Sequence, residues 1–107
     1  MIDSPVFAAL ADPMRRRLLR TLAANSPRTA TQLARDYPIS RQGILKHLAI
    51  LQDAGLVAVN QQGREKRYTF KPEPLTEMEQ FIKEIAQEWD DRLLRLKAFV
   101  ENTEAGE

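Results

Sequence analysis

Apolar residues recur along this chain at three- and four-residue intervals, broken once by a short alternating stretch between Leu56 and Phe70. The spacing predicts five helices and one hairpin. Val6, Phe7 and Leu10 mark a short first helix, with Ser4 as its cap and Pro5 at its first position. Asp12-Pro13 repeats the cap-plus-proline signal and opens a second helix over 13–24, whose buried stripe is Met14, Leu18, Leu19 and Leu22. Asn25-Ser26-Pro27 ends it. Thr29-x-x-Gln32 is a capping box for a third helix that runs to Asp36, with Leu33 and Ala34 inward.

The fourth helix follows the turn Tyr37-Pro38-Ile39 and is the most informative segment. Ser40 caps it, Ile39 and Ile44 occupy the two positions of a hydrophobic staple, and Gly55 sits where a left-handed residue closes a helix. At about 100° per residue, Ile44, Leu48 and Leu51 share one side while Gln42, Lys46 and Ala49 lie opposite. Leu56–Asn60 and Lys66–Phe70 read as strands joined by the loop Gln61–Glu65. A final helix spans 75–102. Its apolar positions 78, 82, 85, 89, 93, 96 and 100 recur about every 3.67 residues, the period of one face of a nearly straight helix. Residues 102–107 are expected to fray.

The architecture expected is mainly α: a winged helix-turn-helix with a two-stranded β-hairpin wing and a long C-terminal dimerisation helix. It fills one domain, 1–107, with the helix-turn-helix at 29–54, the wing at 56–70, and the segments 1–12 and 75–102 building a dimer.

Charge sharpens this picture. The net charge is only +1, yet residues 14–70 hold eleven Lys and Arg against three acids, while residues 71–107 hold five against ten. A basic middle ahead of an acidic last helix points to a polyanion-binding face. The chain has no cysteine and one histidine, so no disulfide, cofactor or metal site is expected. No apolar run is long enough for a membrane span and no signal peptide is visible, which fits a small soluble cytoplasmic protein.

A recognition helix presents its outward N-terminal residues to base edges. Gln42 and Lys46, with Arg41 and Leu45 beside them, are the expected base readers. Gln pairs with adenine, Lys or Arg with guanine, and Leu45 meets a thymine methyl if it faces outward. Arg28, Thr31, Ser40, Arg64, Lys66 and Arg67 are expected to position phosphates. The cations near the hairpin tip also suit edge-strand protection, a competing reading. Arg15-Arg16-Arg17 opposes the dipole of the second helix, so acidic groups of flanking helices or a phosphate should compensate. His47 reads as a packed or hydrogen-bonded histidine on the shoulder of the core face. No catalytic motif is present, and an enzyme would need His47 in a pocket with a carboxylate. Val6, Phe7, Leu10, Phe81, Ile82, Ile85, Trp89, Leu93, Leu96, Phe99 and Val100 form the expected dimer interface. The last helix, about 42 Å long, outreaches so small a body. A winged helix that binds an acidic protein instead of DNA is the alternative.

Several segments resemble the ArsR-type (ArsR/SmtB) winged-helix transcriptional regulators over about residues 4–100. They are Ala9-Leu10-Ala11-Asp12-Pro13-Met14-Arg15-Arg16, then Lys46-His47-Leu48 and Ala54-Gly55-Leu56-Val57 within 40–57, and Gly63-Arg64 with Tyr68 in the wing. The resemblance implies homodimers on pseudo-palindromic operators, usually acting as repressors, with the first and last helices building the dimer. Many members sense metals through a Cys-rich box or Asp/His pairs, which this chain lacks, so metal sensing does not carry over. The effector stays open: a small molecule, a protein, or none. Leu45 replaces a small hydroxyl residue common in the family, which alters the expected operator preference.

Overall fold

The computed structural model describes residues 4–105, with side chains from 5 to 103. Its helices are α1 (Ser4–Ala11), α2 (Pro13–Ala24), α3 (Ala30–Asp36), α4 (Arg41–Asp53) and α5 (Glu73–Ala105). Its strands are β1 (Arg28–Thr29), β2 (Val57–Gln62) and β3 (Glu65–Phe70). The winged helix-turn-helix order expected from the sequence is the order observed. The Ser4 side chain, expected as a cap, lies outside the described residues.

Local chemistry sets most boundaries. The Asp12 carboxylate accepts the Arg15 N–H at 3.0 Å and starts α2. Thr29 and Gln32 form the reciprocal capping box of α3. Ser40 Oγ accepts the Gly43 N–H at 3.1 Å at the head of α4. The far end of α4 closes as a Schellman motif. Gly55 adopts φ 77°, its N–H reaches the Gln52 carbonyl, and the Leu56 N–H reaches the Leu51 carbonyl, each at 2.9 Å. Leu51 and Leu56 are both fully buried there.

Three boundaries differ from expectation. The wing turn is two residues, not five. Gly63 takes φ 64° at the first turn position, the pattern of a tight II′ hairpin, so Gln61 and Gln62 still pair with Lys66 and Glu65. The sheet has a third strand. The cap residue Thr29 must be extended (φ −89°, ψ 160°), and that backbone lets Arg28 and Thr29 pair with Tyr68 and Arg67, in the order β1-β3-β2. The last helix starts two residues early and ends at Ala105. Pro74 is tolerated in a first turn, where its missing N–H has no helical partner, and the Pro72 carbonyl accepts from Leu75 and Thr76.

The chain divides into two units, one through Thr76 and one from Glu77 onward. The core of the first is built from Leu18, Leu22, Leu33, Ile44, Leu48, Leu51 and Leu56, all fully buried. Val6 and Ala9 of α1 and Tyr68 of the wing join it. The second unit is helical as far as Ala105 and exposes its large apolar residues from Phe81 (42%) to Phe99 (69%).

Candidate nucleic-acid interface

α4 carries its outward residues on a rigid base, because Ile44, Leu48 and Leu51 lock the opposite side into the core. Ile39 folds over its first turn: a Cβ built on Gly43 would lie 3.7 Å from the Ile39 Cβ. Gln42 and Lys46 stand exposed on the outer face, and neither side chain is engaged by another described residue. Both are free for an external partner. Ser40 is committed to its cap as an acceptor, while its hydroxyl proton stays available.

Between α3, the start of α4 and the wing lies a groove of about 450 Å³. It brings together five of the residues singled out from the sequence: Thr31, Arg41, Leu45, Arg64 and Lys66. The Arg41 Nε donates to Thr31 Oγ1 at 3.1 Å, which aims the guanidinium and leaves its terminal amino groups open. Leu45 is half-buried on the wall rather than fully outward. Arg28 and Arg67 lie in a neighbouring groove of about 270 Å³ with Glu65. There Arg67 pairs with Glu65 at 3.3 Å, and the Arg28 Nε donates to the Asn25 carbonyl at 3.1 Å. Two residues of this larger groove, Arg35 and Tyr68, are not among the DNA contacts expected from the sequence. Arg35 follows Thr31 by one helical turn, a spacing that could have flagged it.

The arginine run of α2 has a different use from either expectation. Arg15 donates to the carbonyls of Ala8 (3.0 Å) and Ala9 (2.8 Å), and Arg16 to those of Leu10 (2.8 Å) and Ala11 (3.1 Å). These are the four carbonyls that the end of α1 leaves unpaired, so the compensating negative charge is a helix C-terminus. Arg17 and Arg20 line a separate shallow hollow beside Asp36 and Tyr37. The Tyr37 hydroxyl donates to the Arg17 carbonyl at 3.1 Å and accepts from Thr21.

His47 is hydrogen-bonded, as the sequence suggested. Its Nδ1 lies 3.5 Å from Arg15 Nη1, and 4.0 Å from Asp12 Oδ2. Arginine can only donate, so in this contact Nδ1 serves as the acceptor. The hydrogen bond from the Arg15 backbone N–H above all holds the Asp12 carboxyl below its ordinary value; burial opposes it, and the charge of Arg15 adds to the lowering. Among the described residues no group of three His, Asp or Glu side chains is placed to hold a metal ion. No described helix is long and apolar enough to cross a membrane.

Of the residues expected at a dimer interface, Val6 is only 5% exposed and belongs to the core, Leu10 is half-buried, and Phe7 is 42% exposed. All eight on α5 are exposed. Leu94 (64%) is exposed too but lies about 100° or more from that stripe. On the polar side Glu79 pairs with Lys83 at 2.8 Å. Arg92 sits over the Trp89 ring, 5.4 Å from its centroid.

Residues 10–60 match the model of a helix-turn-helix domain family. The uncharacterised HTH-type transcriptional regulator YuzN of Bacillus subtilis is 38% identical over 76 residues, covering 65% of this chain and 83% of its own length. The HTH-type transcriptional regulator Rv2034 of Mycobacterium tuberculosis is 38% identical over 66 residues, 62% of this chain and 61% of that protein. Among solved structures, an ArsR-like transcriptional regulator from Rhodococcus sp. RHA1 superposes with a TM-score of 0.85 at 39% identity, covering 92% of this chain and 90% of that one. These relatives are transcriptional regulators.

Proposed function

The chain belongs to the ArsR-type helix-turn-helix transcriptional regulators, DNA-binding proteins, and from that premise we propose that it is a homodimeric repressor that occupies a pseudo-palindromic operator. The observation that carries the reading is the outer face of α4, where Gln42 and Lys46 stand unengaged beside a basic groove. Gln42 and Lys46 read bases, with Arg41 and Leu45 at the groove edge. Thr31, Ser40, Arg64 and Lys66 position the phosphates, with Arg28 and Arg67 beside them.

The exposed stripe of α5, from Phe81 to Val100, is the surface on which a second copy packs, and Phe7 of α1 is a further contact for that copy. A large contiguous apolar patch on a monomer is unusual and marks an interface. A twofold dimer sets its recognition helices about 34 Å apart, the spacing of successive major grooves. Blocking a promoter from the cytoplasm needs nothing more than occupancy.

The test is affinity for a duplex from the protein's own upstream region against a scrambled duplex, at two salt concentrations. A preference of about 10³ or more, with one dimer per site, is the expected outcome. Equal and steeply salt-sensitive binding to both duplexes would sink the claim of an operator at its own promoter. Absence of salt-dependent DNA binding would favour an acidic protein as the partner of the basic face.

A further inference from the structure

The groove between α3, α4 and the wing holds a polar group that the fold does not use. Tyr68 is 5% exposed and lines that groove, yet its hydroxyl forms no hydrogen bond with any described residue. No buried polar side-chain atom among the described residues lacks a partner, so this hydroxyl keeps some contact with solvent, and Tyr68 lines the groove. A phenol held in a core with its oxygen open to one site is a donor waiting for an acceptor, since buried tyrosines ordinarily find a partner.

The surroundings define that acceptor. Arg35, Arg41, Arg64 and Lys66 line the same groove against one carboxylate, Glu65, which lies 3.3 Å from Arg67. Thr31 accepts from Arg41, so its hydroxyl proton is also left to give. Hydroxyl donors backed by guanidinium groups suit a phosphate oxygen. The position between the recognition helix and the wing suits one on a DNA strand.

We propose that this groove seats a backbone phosphate of bound DNA, with the Tyr68 hydroxyl as a direct donor and Arg35 as a wall cation. The proposal rests on the DNA-binding reading and adds to it two contact residues. Tyr68 thereby anchors the wing to the body through its ring and contacts DNA through its oxygen.

A phosphate contact is blind to sequence, so a random-sequence duplex tests it independently of any operator. Affinities of the full-length protein, Tyr68→Phe and Arg35→Ala are measured as a function of salt. Tyr68→Phe removes no cation and no internal hydrogen bond. Its unfolding midpoint should match the parent, its affinity should fall about ten- to a hundredfold, as for a lost hydrogen bond to a charged group, and its salt slope should not change. Arg35→Ala should lower the slope by about 0.9. Tyr68→Phe binding within twofold of the parent at all salts, or an unchanged slope in Arg35→Ala, overturns the seat. A second arm titrates inorganic phosphate while amide NMR signals of Thr31, Arg41 and Tyr68 are followed. Saturable binding lost in Tyr68→Phe, with duplex affinity unchanged, would give the groove to a free phosphorylated small molecule and overturn the DNA assignment. If the unmodified protein fails to bind any duplex, the DNA-binding reading itself falls, whatever the phosphate arm returns.

Discussion

The Nε–H of Arg15 points back along the chain at the carbonyl of Ala9, 2.8 Å away. The same guanidinium reaches the Ala8 carbonyl and the ring of His47 on the recognition helix. One planar fork thus closes α1 and touches α4. A lysine ammonium is a single point and cannot span three acceptors. Arg15→Lys should therefore lose most of what Arg15→Ala loses, about 1–3 kcal/mol by urea unfolding. Recovery of full stability by the lysine variant would show that charge alone matters.

Gly55 and Gly63 both have positive φ, but their surroundings differ. A Cβ on Gly55 would meet Pro74 Cγ at 3.4 Å, whereas one on Gly63 would meet nothing within 4 Å. Gly63→Ala should cost only the backbone strain, about 1–2 kcal/mol. Gly55→Ala should cost at least that, and its unfolding midpoint should fall by about 4–8 °C per kcal/mol. The midpoints of the two variants, side by side, check the order.

The lowered pKa of Asp12 carries a sign. The folded state favours the ionised cap, so its contribution is complete above the ordinary value of 3.8 and is lost as pH falls through the lower folded value. Unfolding midpoints of the parent should drop in that acid window. Asp12→Asn keeps a capping oxygen without an ionisable group and should remove this part of the drop. Identical acid profiles for the two proteins would assign the loss to other groups.

Trp89 and Ile85 sit in the middle of the exposed α5 stripe, 56% and 48% accessible. Trp89→Glu should dissociate the proposed dimer in sedimentation experiments while the cooperative unfolding of the first unit persists. Specific DNA affinity should fall with dimer loss, since two half-sites are then read separately. A variant that stays dimeric would move the interface elsewhere.

Lys46→Ala should reduce discrimination between operator and scrambled DNA by about 1–3 kcal/mol, the worth of a base contact. Arg64→Ala should weaken both equally and lower the salt slope by about 0.9. Equal weakening by Lys46→Ala would reassign Lys46 to the phosphates.

What was legible in the sequence follows from how local each interaction is. The caps at Asp12, Thr29 and Ser40 and the Schellman glycine at 55 depend on neighbours within five residues, and all were readable. The core stripe of α4 was equally plain from its period. Arg15 and Arg16 were puzzling because their partners lie across a chain reversal, at Ala8 to Ala11. Strand β1 was invisible because two residues cannot show alternation. Val6 and Phe7 are both apolar and adjacent, so no pattern distinguished the one that is buried. Tyr68, 5% exposed, anchors the wing through its ring, and the alternation of the strand alone could not show its role in the groove. Its free hydroxyl emerged only when Arg41 and Arg35 appeared around the same groove.

Thr29 belongs to two things at once: its side chain caps α3 and its backbone pairs with Arg67 of the wing. The wing and the helix-turn-helix are therefore jaws of one caliper, pinned at this residue. A caliper with a fixed gap measures what it closes on. If DNA is held between them as proposed, duplexes whose groove width already fits the gap would be gripped without distortion, and stiff duplexes of another width would be bent to fit or held loosely. The protein would then rank DNA by its mechanics as well as by its letters, at positions no side chain touches.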